Sequence, residues 1–580
     1  GSSSLAGNVV LGANSTINVA GTSANTLTVS GVISGTGFGI NKTGTGTLVL
    51  AAANTYSGAT TISAGTLKAG IANALSDSSA VTVNTGASFD LNNFSDTVGS
   101  IAGAGNITLG TATLSAGSDN SSTTYSGIMS GTGSFTKVGT GTLTLTNNNT
   151  LTGTVTVNSG TLQTTTANSA TGAIGSATAI VINDGGTIDA AGVNSLVGYS
   201  TSALKTITIN TGGTLSNTTG ATNHLNAVVL NGGTISATTA DAANGNWNFD
   251  QGVSGTGGSI TGGNLALTQT GGTVFNTSGT LTISSVIAHT TGASDLGLIK
   301  QGSGTLVLSG ANTYTSATTI SAGILQVGDG GASGNLGTGT VVNNAQLNFN
   351  STGTQTVSGV ISGAGTINQN GSGITILSGT NTYTGVTNVN AGTLAITNAA
   401  GLGNVSGVTN VAVGGTLDLR NVALGAEVIT LNGGTLATST GTSSYSGPLA
   451  MSADSTINVS GTQLTLSGVL SGTGGLTKVG TGTLILSGTN TYDGITNVSV
   501  GTLAISNAAG LGSITGGTVV AGSGTLDLRN VAVGTEAITL NGGTLATSTG
   551  SSSLAGNVVL GADSTINVAG TSANILTVSG

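Results

Sequence analysis

Apolar and polar residues alternate in short runs along most of the chain. Runs such as TVTV at 154–157 and TITI at 206–209 place every second side chain on the same face of an extended strand. Helix formers other than Ala and Leu are rare, so the pattern predicts an all-β protein. Because no apolar run reaches the roughly 18 residues of a membrane helix and no basic segment opens the chain, we expect neither a membrane-spanning helix nor a signal peptide.

One phrase of 17 residues recurs without a gap. It reads KTGTGTLVLAAANTYSG from residue 42, and further copies start at residues 137, 300, 369 and 478. Four copies open with one of the six lysines of the chain, whereas the copy at 369 opens with Gln369. A fixed length without insertions indicates that the phrase is a structural unit.

Two longer repeats enclose these phrases. Residues 392–462 recur at 501–571 with an offset of 109, and residues 1–31 recur at 550–580 with an offset of 549. The second pair differs only at Asn14/Asp563 and Thr26/Ile575. We therefore expect residues 1–580 to be one continuous domain, cut from a longer tandem array.

The 109-residue unit contains a turn followed by Thr and an aliphatic residue at five intervals of about 22 residues. The threonines are Thr393, Thr416, Thr435, Thr456, Thr483 and Thr502. Stacked units of this length are typical of a β-solenoid, in which each coil buries its apolar residues against its neighbours. The sequence therefore predicts a parallel β-helix with about 22 residues per coil.

The phrase can be placed on such a coil. Leu48 and Leu50 share one face of a strand and are expected in the core. We expect the recurring asparagine to cap backbone groups at a corner; it is Asn54, Asn149, Asn312, Asn381 and Asn490. The tyrosine two positions later is expected to form an aromatic shelf at that corner; it is Tyr56, Tyr314, Tyr383 and Tyr492.

Composition excludes several kinds of partner. Charged residues make up 4% of the chain, the net charge is −9 and the pI is about 4.3. Without a Lys/Arg cluster, binding to nucleic acid or to anionic lipid is not expected. The chain has no Cys, so disulfides and thiolate chemistry are excluded.

The phrase K-x-G-x-G-T-L-x-L, followed by N-T-Y-x-G and by TTISAGTL (60–67) or TNVSVGTL (496–503), resembles the autotransporter-associated β-strand repeat. That repeat occurs in passenger domains of Gram-negative autotransporters and related large surface proteins. The resemblance implies a right-handed parallel β-helix that is exported to the cell surface or the extracellular space and acts as a stalk, adhesin or aggregation factor. It implies no catalytic position.

The charged residues suggest candidate sites. The motif lysines could bind an acidic glycan, but pairing with corner carbonyls or carboxylates is favoured. Asp418 with Arg420, and Asp527 with Arg529, are two apart and are expected to form surface ion pairs.

Three Ser-Asp turns are spaced by about one coil. Their carboxylates, on Asp77, Asp96 and Asp119, could form a column such as polysaccharide-cleaving β-helices use. Ser-Asp is also a common turn dipeptide, and that interpretation is favoured.

The remaining candidates are isolated. His224 and His289 are the only histidines, and they cannot form a zinc site without carboxylates. The calcium-binding nonapeptide is missing, and GDGG at 328–331 alone is a weak signal. NGNWNFD (244–250), with Trp247, Phe249 and Asp250, is expected to be an irregular loop that acts as a plug or cap.

We therefore predict no catalytic, cofactor-binding or metal-binding residues. The expected protein is a non-enzymatic structural repeat protein, a surface stalk, fibre or filament with an adhesive role. Self-association, head to tail or through lateral Thr, Ser and Asn faces, is expected, and surface glycans or a host surface are possible ligands. A glycan-binding or polysaccharide-cleaving β-helix is the alternative. The feature that would distinguish a binding protein from a purely structural one is the irregular region 220–300.

Overall fold

A computed structural model describes residues 1–166, 170–198, 205–239, 245–288, 296–570 and 573–580. Within these ranges the regular structure consists of β-strands, and strands that lie about one coil apart pair in parallel. For example, Ile367 lies opposite Thr387, and Thr387 lies opposite Thr409. The predicted all-β solenoid and its coil length are confirmed.

The chain divides into two compact units. The first comprises Gly1–Leu298 with Gly302–Leu306, and the second comprises Ile299–Gln301 with Val307–Gly580. The strands Leu298–Gln301 and Thr305–Leu308 contain residues of both units.

The first unit is a stack of short strands, many of them of three to five residues. They are Ser2–Leu5, Val9–Val10, Ser15–Asn18, Thr26–Val29, Ile33–Ser34, Ile40–Thr43, Thr47–Leu50, Thr60–Ile62, Thr66–Ala69, Ala80–Val83, Ser88–Asp90, Asp96–Val98, Ser100–Gly103, Asn106–Gly110, Thr113–Ala116, Thr123–Tyr125, Met129–Gly131, Ser134–Lys137, Thr142–Leu145, Thr150–Leu151, Thr154–Val157, Gly160–Thr164, Ala179–Ile182, Gly186–Ala190, Thr206–Asn210, Thr214–Asn217, Asn223–Leu225, Ala227–Ala237, Trp247–Phe249, Val253–Thr261, Asn264–Leu267, Thr273–Thr277, Thr280–Ile283 and Val286–Ile287.

The second unit has the same construction. Its strands are Thr318–Ile320, Ile324–Val327, Val341–Asn343, Gln346–Phe349, Thr354–Val357, Ile361–Ser362, Thr366–Gln369, Ile374–Leu377, Thr387–Val389, Gly392–Ile396, Val408–Ala412, Gly415–Leu419, Ala423–Leu424, Val428–Asn432, Thr435–Thr438, Thr442–Tyr445, Leu449–Ala453, Ser455–Val459, Gln463–Leu466, Leu470–Ser471, Leu476–Val479, Thr483–Leu486, Thr496–Ile505, Thr518–Leu528, Ala532–Val533, Ile538–Asn541, Thr544–Thr547, Ser551–Leu554, Val558–Ala562, Thr565–Val568 and Ile575–Val578.

The core of each unit follows from the alternation of side chains. In Thr47–Leu50, Leu48 and Leu50 are fully buried, as predicted, while Thr47 and Val49 are partly exposed. Close stacking of coils also requires glycine at some corners. Gly65 has a φ of 68°, and a Cβ there would lie 2.4 Å from the carbonyl oxygen of Gly46, so a larger residue would be strained both by its backbone and by the contact.

The 109-residue repeat does not contain a whole number of coils. Starting at Thr393, the stacked partners are Thr416, Thr435, Thr456, Thr477 and Asn497. Thr502, the sequence equivalent of Thr393, instead stacks on Thr483 in a neighbouring column of strands. The predicted coil step from Thr456 to Thr483 is therefore wrong, because it changes column.

The strand Thr496–Ile505 shows how the columns are linked. Its first half pairs with Leu476–Val479, and its second half pairs with Thr483–Leu486. One 109-residue repeat thus corresponds to five coils plus one further face of the coil. Equivalent residues of successive repeats consequently lie on neighbouring faces.

Candidate functional site

The lysine that opens the phrase lies inside the coil corner. Lys42 is fully buried, and its Nζ donates hydrogen bonds to the carbonyl oxygens of Thr43 at 2.9 Å, Gly44 at 2.8 Å and Ala64 at 3.0 Å. Ala64 belongs to the next coil, so the ammonium group joins two coils. Pairing with corner carbonyls was the favoured prediction, and it is confirmed.

The other motif lysines repeat this geometry. Lys137 and Lys478 each bond two carbonyls of their own corner and one in the next coil, and Lys300 contacts the carbonyls of Gln301 and Ala322. Burial lowers the pKa of Lys300 and of Lys478 to about 8. The lysines are not available to a glycan, because their ammonium groups are enclosed.

Gln369 shows what happens when the lysine is replaced. Its Nε2 donates to the carbonyls of Gly371 at 2.7 Å and Gly373 at 3.4 Å. Its Oε1 is buried without a hydrogen-bond partner. The glutamine therefore retains part of the corner contact, at the cost of one unsatisfied acceptor.

The recurring asparagine bridges three successive coils. Asn381 Oδ1 accepts a hydrogen bond from the Ile361 amide at 2.9 Å, while its Nδ2 donates to the Gly401 carbonyl at 2.7 Å. Asn54, Asn149 and Asn490 make the same pair of contacts with their own neighbouring coils. The predicted backbone capping is confirmed.

The recurring tyrosine, predicted to form an aromatic shelf at the corner, is buried there. Tyr56, Tyr314, Tyr383 and Tyr492 are fully buried. Each hydroxyl contacts the hydroxyl of the threonine four residues later, for example Tyr383 with Thr387 at 2.9 Å. At the first copy, the Thr60 hydroxyl also contacts that of Ser79 in the next coil at 2.7 Å, so the tyrosine is linked to the neighbouring coil through the threonine.

Two buried glutamates accept hydrogen bonds from inward-facing threonines. Thr409, which stacks on Thr387, donates to Glu427 Oε1 at 2.8 Å, and Thr518 donates to Glu536 at 2.9 Å. Burial raises the pKa of Glu427 to about 7 and also raises that of Glu536. Sequence reasoning missed both residues. Their recurrence at the 109-residue offset was the available signal.

The three Ser-Asp carboxylates do not line a common groove. Asp77 is exposed and Asp119 is partly exposed, whereas Asp96 is 2% exposed and lies on the inward side of its strand. Desolvation raises the pKa of Asp96 to about 7. The alternative interpretation, a carboxylate column at the surface, is therefore wrong, because the middle carboxylate points into the core.

The two Asp-Arg pairs form as predicted. Arg420 Nε lies 2.7 Å from Asp418 Oδ2, and the same distance joins Arg529 and Asp527. Each aspartate is almost fully buried and also accepts from a serine of the next coil, Ser439 or Ser548. The pairs are thus partly internal and connect coils.

A polar cluster lies where the phrase is absent. His224 Nδ1 faces both carboxylate oxygens of Asp250, at 3.2 and 3.0 Å, and His224 Nε2 lies 3.4 Å from Asn248 Nδ2. Thr268 donates to Asp250 at 2.7 Å. The imidazole keeps 29% of its surface exposed, so this cluster can meet a ligand.

The cluster differs from the expected loop. Trp247–Phe249 is a strand, Trp247 and Phe249 are fully buried, and Asp250 follows the strand. His224 and Asn248 are paired in register on adjacent coils. The one-coil spacing of His224 and Asp250 was the sequence signal for this pairing, and it was overlooked. His289 lies outside the described residues.

Two further properties concern the described residues alone. No group of three or more His, Cys, Asp or Glu side chains in this part of the chain is arranged to hold a metal ion. No helix there is long and apolar enough to cross a membrane.

Two comparisons with known proteins agree with this geometry. The passenger-associated-transport-repeat matches residues 40–69, 135–163, 298–327, 367–396 and 476–505, which contain the five phrases. The chain is also 32% identical over 348 residues to the adhesin BmaC autotransporter of Brucella suis biovar 1 (strain 1330). That match covers 52% of this chain and 9% of the adhesin, so the chain spans a small part of its relative's length. The resemblance to autotransporter passenger repeats is confirmed.

Proposed function

From its five passenger-associated-transport-repeats, we propose that the chain is part of a surface-exposed, adhesin-like passenger of a Gram-negative autotransporter. The observation that carries the proposal is the match of the repeats to solenoid corners. Within them, the lysine and the asparagine join coils, and the tyrosine is buried against a threonine of its own coil. Such a scaffold suits a stalk or fibre that holds adhesive surfaces away from the cell.

A non-enzymatic role is part of this proposal. The buried Asp96 cannot reach an extended polysaccharide, which leaves Asp77 as the exposed carboxylate of the pair. The motif lysines are equally enclosed. A purified segment that cleaved acidic polysaccharides, with loss of cleavage in Asp77→Ala, would support the enzyme alternative.

Surface display tests the main proposal. An epitope tag inserted at an exposed corner of the full-length protein should be labelled on intact cells. Deletion of 1–580 should lower adhesion or cell aggregation while the rest of the protein remains displayed. Labelling that requires cell lysis, or unchanged adhesion and aggregation after the deletion, would contradict it.

Self-association is proposed as the way in which such passengers form fibres or aggregates. Strands can continue a solenoid lengthwise by pairing with a further coil. Uncharged Thr, Ser and Asn faces can pack side by side, and with 4% charged residues such contacts should vary little with salt. Electron microscopy at several salt concentrations distinguishes long fibres and lateral bundles from separate particles.

Glycan binding is a second candidate function, favoured by the His224 cluster. Imidazole, carboxylate and amide groups can exchange hydrogen bonds with sugar hydroxyls. His224→Ala and Asp250→Asn should each abolish binding on a glycan array, whereas Lys68→Ala should leave it unchanged. Binding that survives both cluster variants would exclude this cluster as the site.

A further inference from the structure

An uninterrupted apolar stripe runs along one face of the second unit. Its members precede or begin successive strands and lie at one register position of adjacent coils. We call them the valine stripe: Val386, Val408, Val428, Pro448 and Val469. Val386, Val428 and Val469 are 38%, 37% and 43% exposed. At about 4.8 Å per coil, the stripe is about 19 Å long.

A second column lies beside the stripe on the same outward face. It stands two positions beyond the stripe along each coil, because the residue between them points into the core. We call it the polar column: Asn388, Asn410, Thr430, Ala450 and Ser471. None of the ten residues in the two columns carries a charge.

Glycine before three of the stripe residues lets the coils of this face stack closely. Gly385, Gly447 and Gly468 directly precede stripe residues, and a Cβ at each would meet a backbone carbonyl of the preceding coil at 2.2 Å or less. The central Val428 is preceded by Glu427, whose side chain is buried. The outward neighbours on that side are two positions before the stripe and are small: Thr384, Ser406, Ala426, Ser446 and Ser467. The face is therefore apolar along one line and carries small, uncharged side chains on either side of it.

We propose that this face docks against the same face of a second copy of this chain, with the two coil stacks antiparallel. A two-fold axis along the strand direction, through the central Val428, places the valine stripe on its own copy. The same axis places the polar column on the polar column. A two-fold axis along the stack, midway between the columns, would instead exchange them and set valines against asparagines. The same axis placed over the stripe would keep the valines together but would set the polar column against the residues two positions before the stripe.

Because this face is uncharged, an acidic or a basic partner would form no ion pairs with it. The lack of charge therefore favours a second copy of the chain as the partner. An isologous contact is also the simplest way for a flat face to be self-complementary. Ten side chains per copy are fewer than the roughly 20–30 residues of a standard interface. The contact is accordingly weak between two isolated molecules and is reinforced when many copies are displayed side by side.

The second 109-residue repeat provides a control within the chain. The positions equivalent to the first four stripe residues are Ile495, Gly517, Ala537 and Asn557. The repeat folds with these residues, yet they form no continuous apolar stripe. Substituting them into the stripe therefore removes the apolar contact with residues that the coil already tolerates.

Because the chain has no cysteine, single-cysteine variants report the contact directly. A bis-maleimide that spans the sheet-to-sheet distance of about 10 Å should link Val428→Cys to itself about tenfold faster than Ala537→Cys, since docking raises the local thiol concentration. A mixture of Val386→Cys and Val469→Cys should cross-link, whereas Val386→Cys alone should not. Adding Val408→Gly and Pro448→Asn should reduce Val428→Cys to the level of Ala537→Cys.

Two results would overturn the inference. Equal cross-linking of Val428→Cys and Ala537→Cys would mean that the stripe does not dock. Efficient self-linking of Val386→Cys would show parallel stacks. The inference rests on the proposed function in one respect: display on a cell surface brings many copies close together. Either result would therefore leave the proposal of surface display and adhesion intact, because that proposal is tested separately on intact cells.

Discussion

The Nζ of Lys478 lies 3.0 Å from the carbonyl oxygen of Val500, which belongs to the next coil of the stack. The same ammonium group bonds the carbonyls of Val479 and Gly480. Its three N–H donors thus match three carbonyl acceptors at one corner. This explains why four of the six lysines open the same phrase: each acts as an internal clamp between coils.

Lys478→Ala should destabilise its corner by about 3 kcal/mol, because it leaves several buried carbonyls without a donor. Lys478→Gln should cost less, since Gln369 already occupies the equivalent position in another copy. Local hydrogen exchange around Lys478 and Val500 measures the effect, because a solenoid can open locally without global unfolding.

Lys68 serves as the matched control for that substitution. It pairs with Asp90 at 3.0 Å, but 35% of its side chain is exposed. Lys68→Ala should therefore change stability by less than about 1 kcal/mol. If Lys478→Ala and Lys68→Ala have equal effects on exchange, the clamp interpretation is wrong.

The sequence was sufficient for features that repeat at short range. Alternation predicted the burial of Leu48 and Leu50, and the fixed corner position of Asn54 predicted its backbone contacts. It did not indicate that Lys42 is buried, because an isolated lysine is usually exposed. The pairing of His224 with Asp250 depends on local coil length, which varies where the phrase is absent.

Asn381→Ala should open two coil contacts at once. The substitution leaves the Ile361 amide without its acceptor and the Gly401 carbonyl without its donor, at a cost of about 2 kcal/mol. Hydrogen exchange at Ile361 should accelerate. Asn390→Ala, which removes one exposed contact with Asn370, should leave exchange at Ile361 unchanged; acceleration by both variants would argue against a specific bridge.

Stability of the second unit should depend on pH through Glu427. Burial raises the pKa of this carboxyl from 4.5 to about 7, so the folded state binds its proton more tightly than the unfolded state. The contribution is fully present below about pH 4.5 and is lost as pH rises to about 7. Thermal unfolding should therefore occur at a lower temperature at pH 7.5 than at pH 5. The free energy of unfolding should be smaller at pH 7.5 by about 2 kcal/mol.

Glu427→Gln separates this effect from other titrating groups. The amide cannot ionise, so the variant should lose most of the pH dependence assigned to this residue and gain stability at pH 7.5. Asp418, whose carboxylate is paired with Arg420, provides a contrasting site. Asp418→Asn should destabilise the protein at pH 7.5, because Arg420 loses its charged partner. An unchanged pH profile in Glu427→Gln would refute the assignment.

The relation between repeat and coil predicts which deletions the second unit tolerates. Removing residues 392–500, one complete 109-residue repeat, joins Ala391 to Gly501, which is equivalent to Gly392 and also has a positive φ. Thr502 can then stack where Thr393 stacked, although later residues move to the neighbouring face.

Removing 393–496 deletes five coils and preserves the faces, but it sets Asn497 and Val498 where Thr393 and Leu394 stood. Local fit determines coil stacking. The first variant should therefore melt within a few degrees of the parent, which corresponds to a loss of about 1 kcal/mol. The second variant should melt at a lower temperature and be cleaved by protease at the junction. Equal stability of the two variants would show that keeping each face matters as much as keeping the phrase.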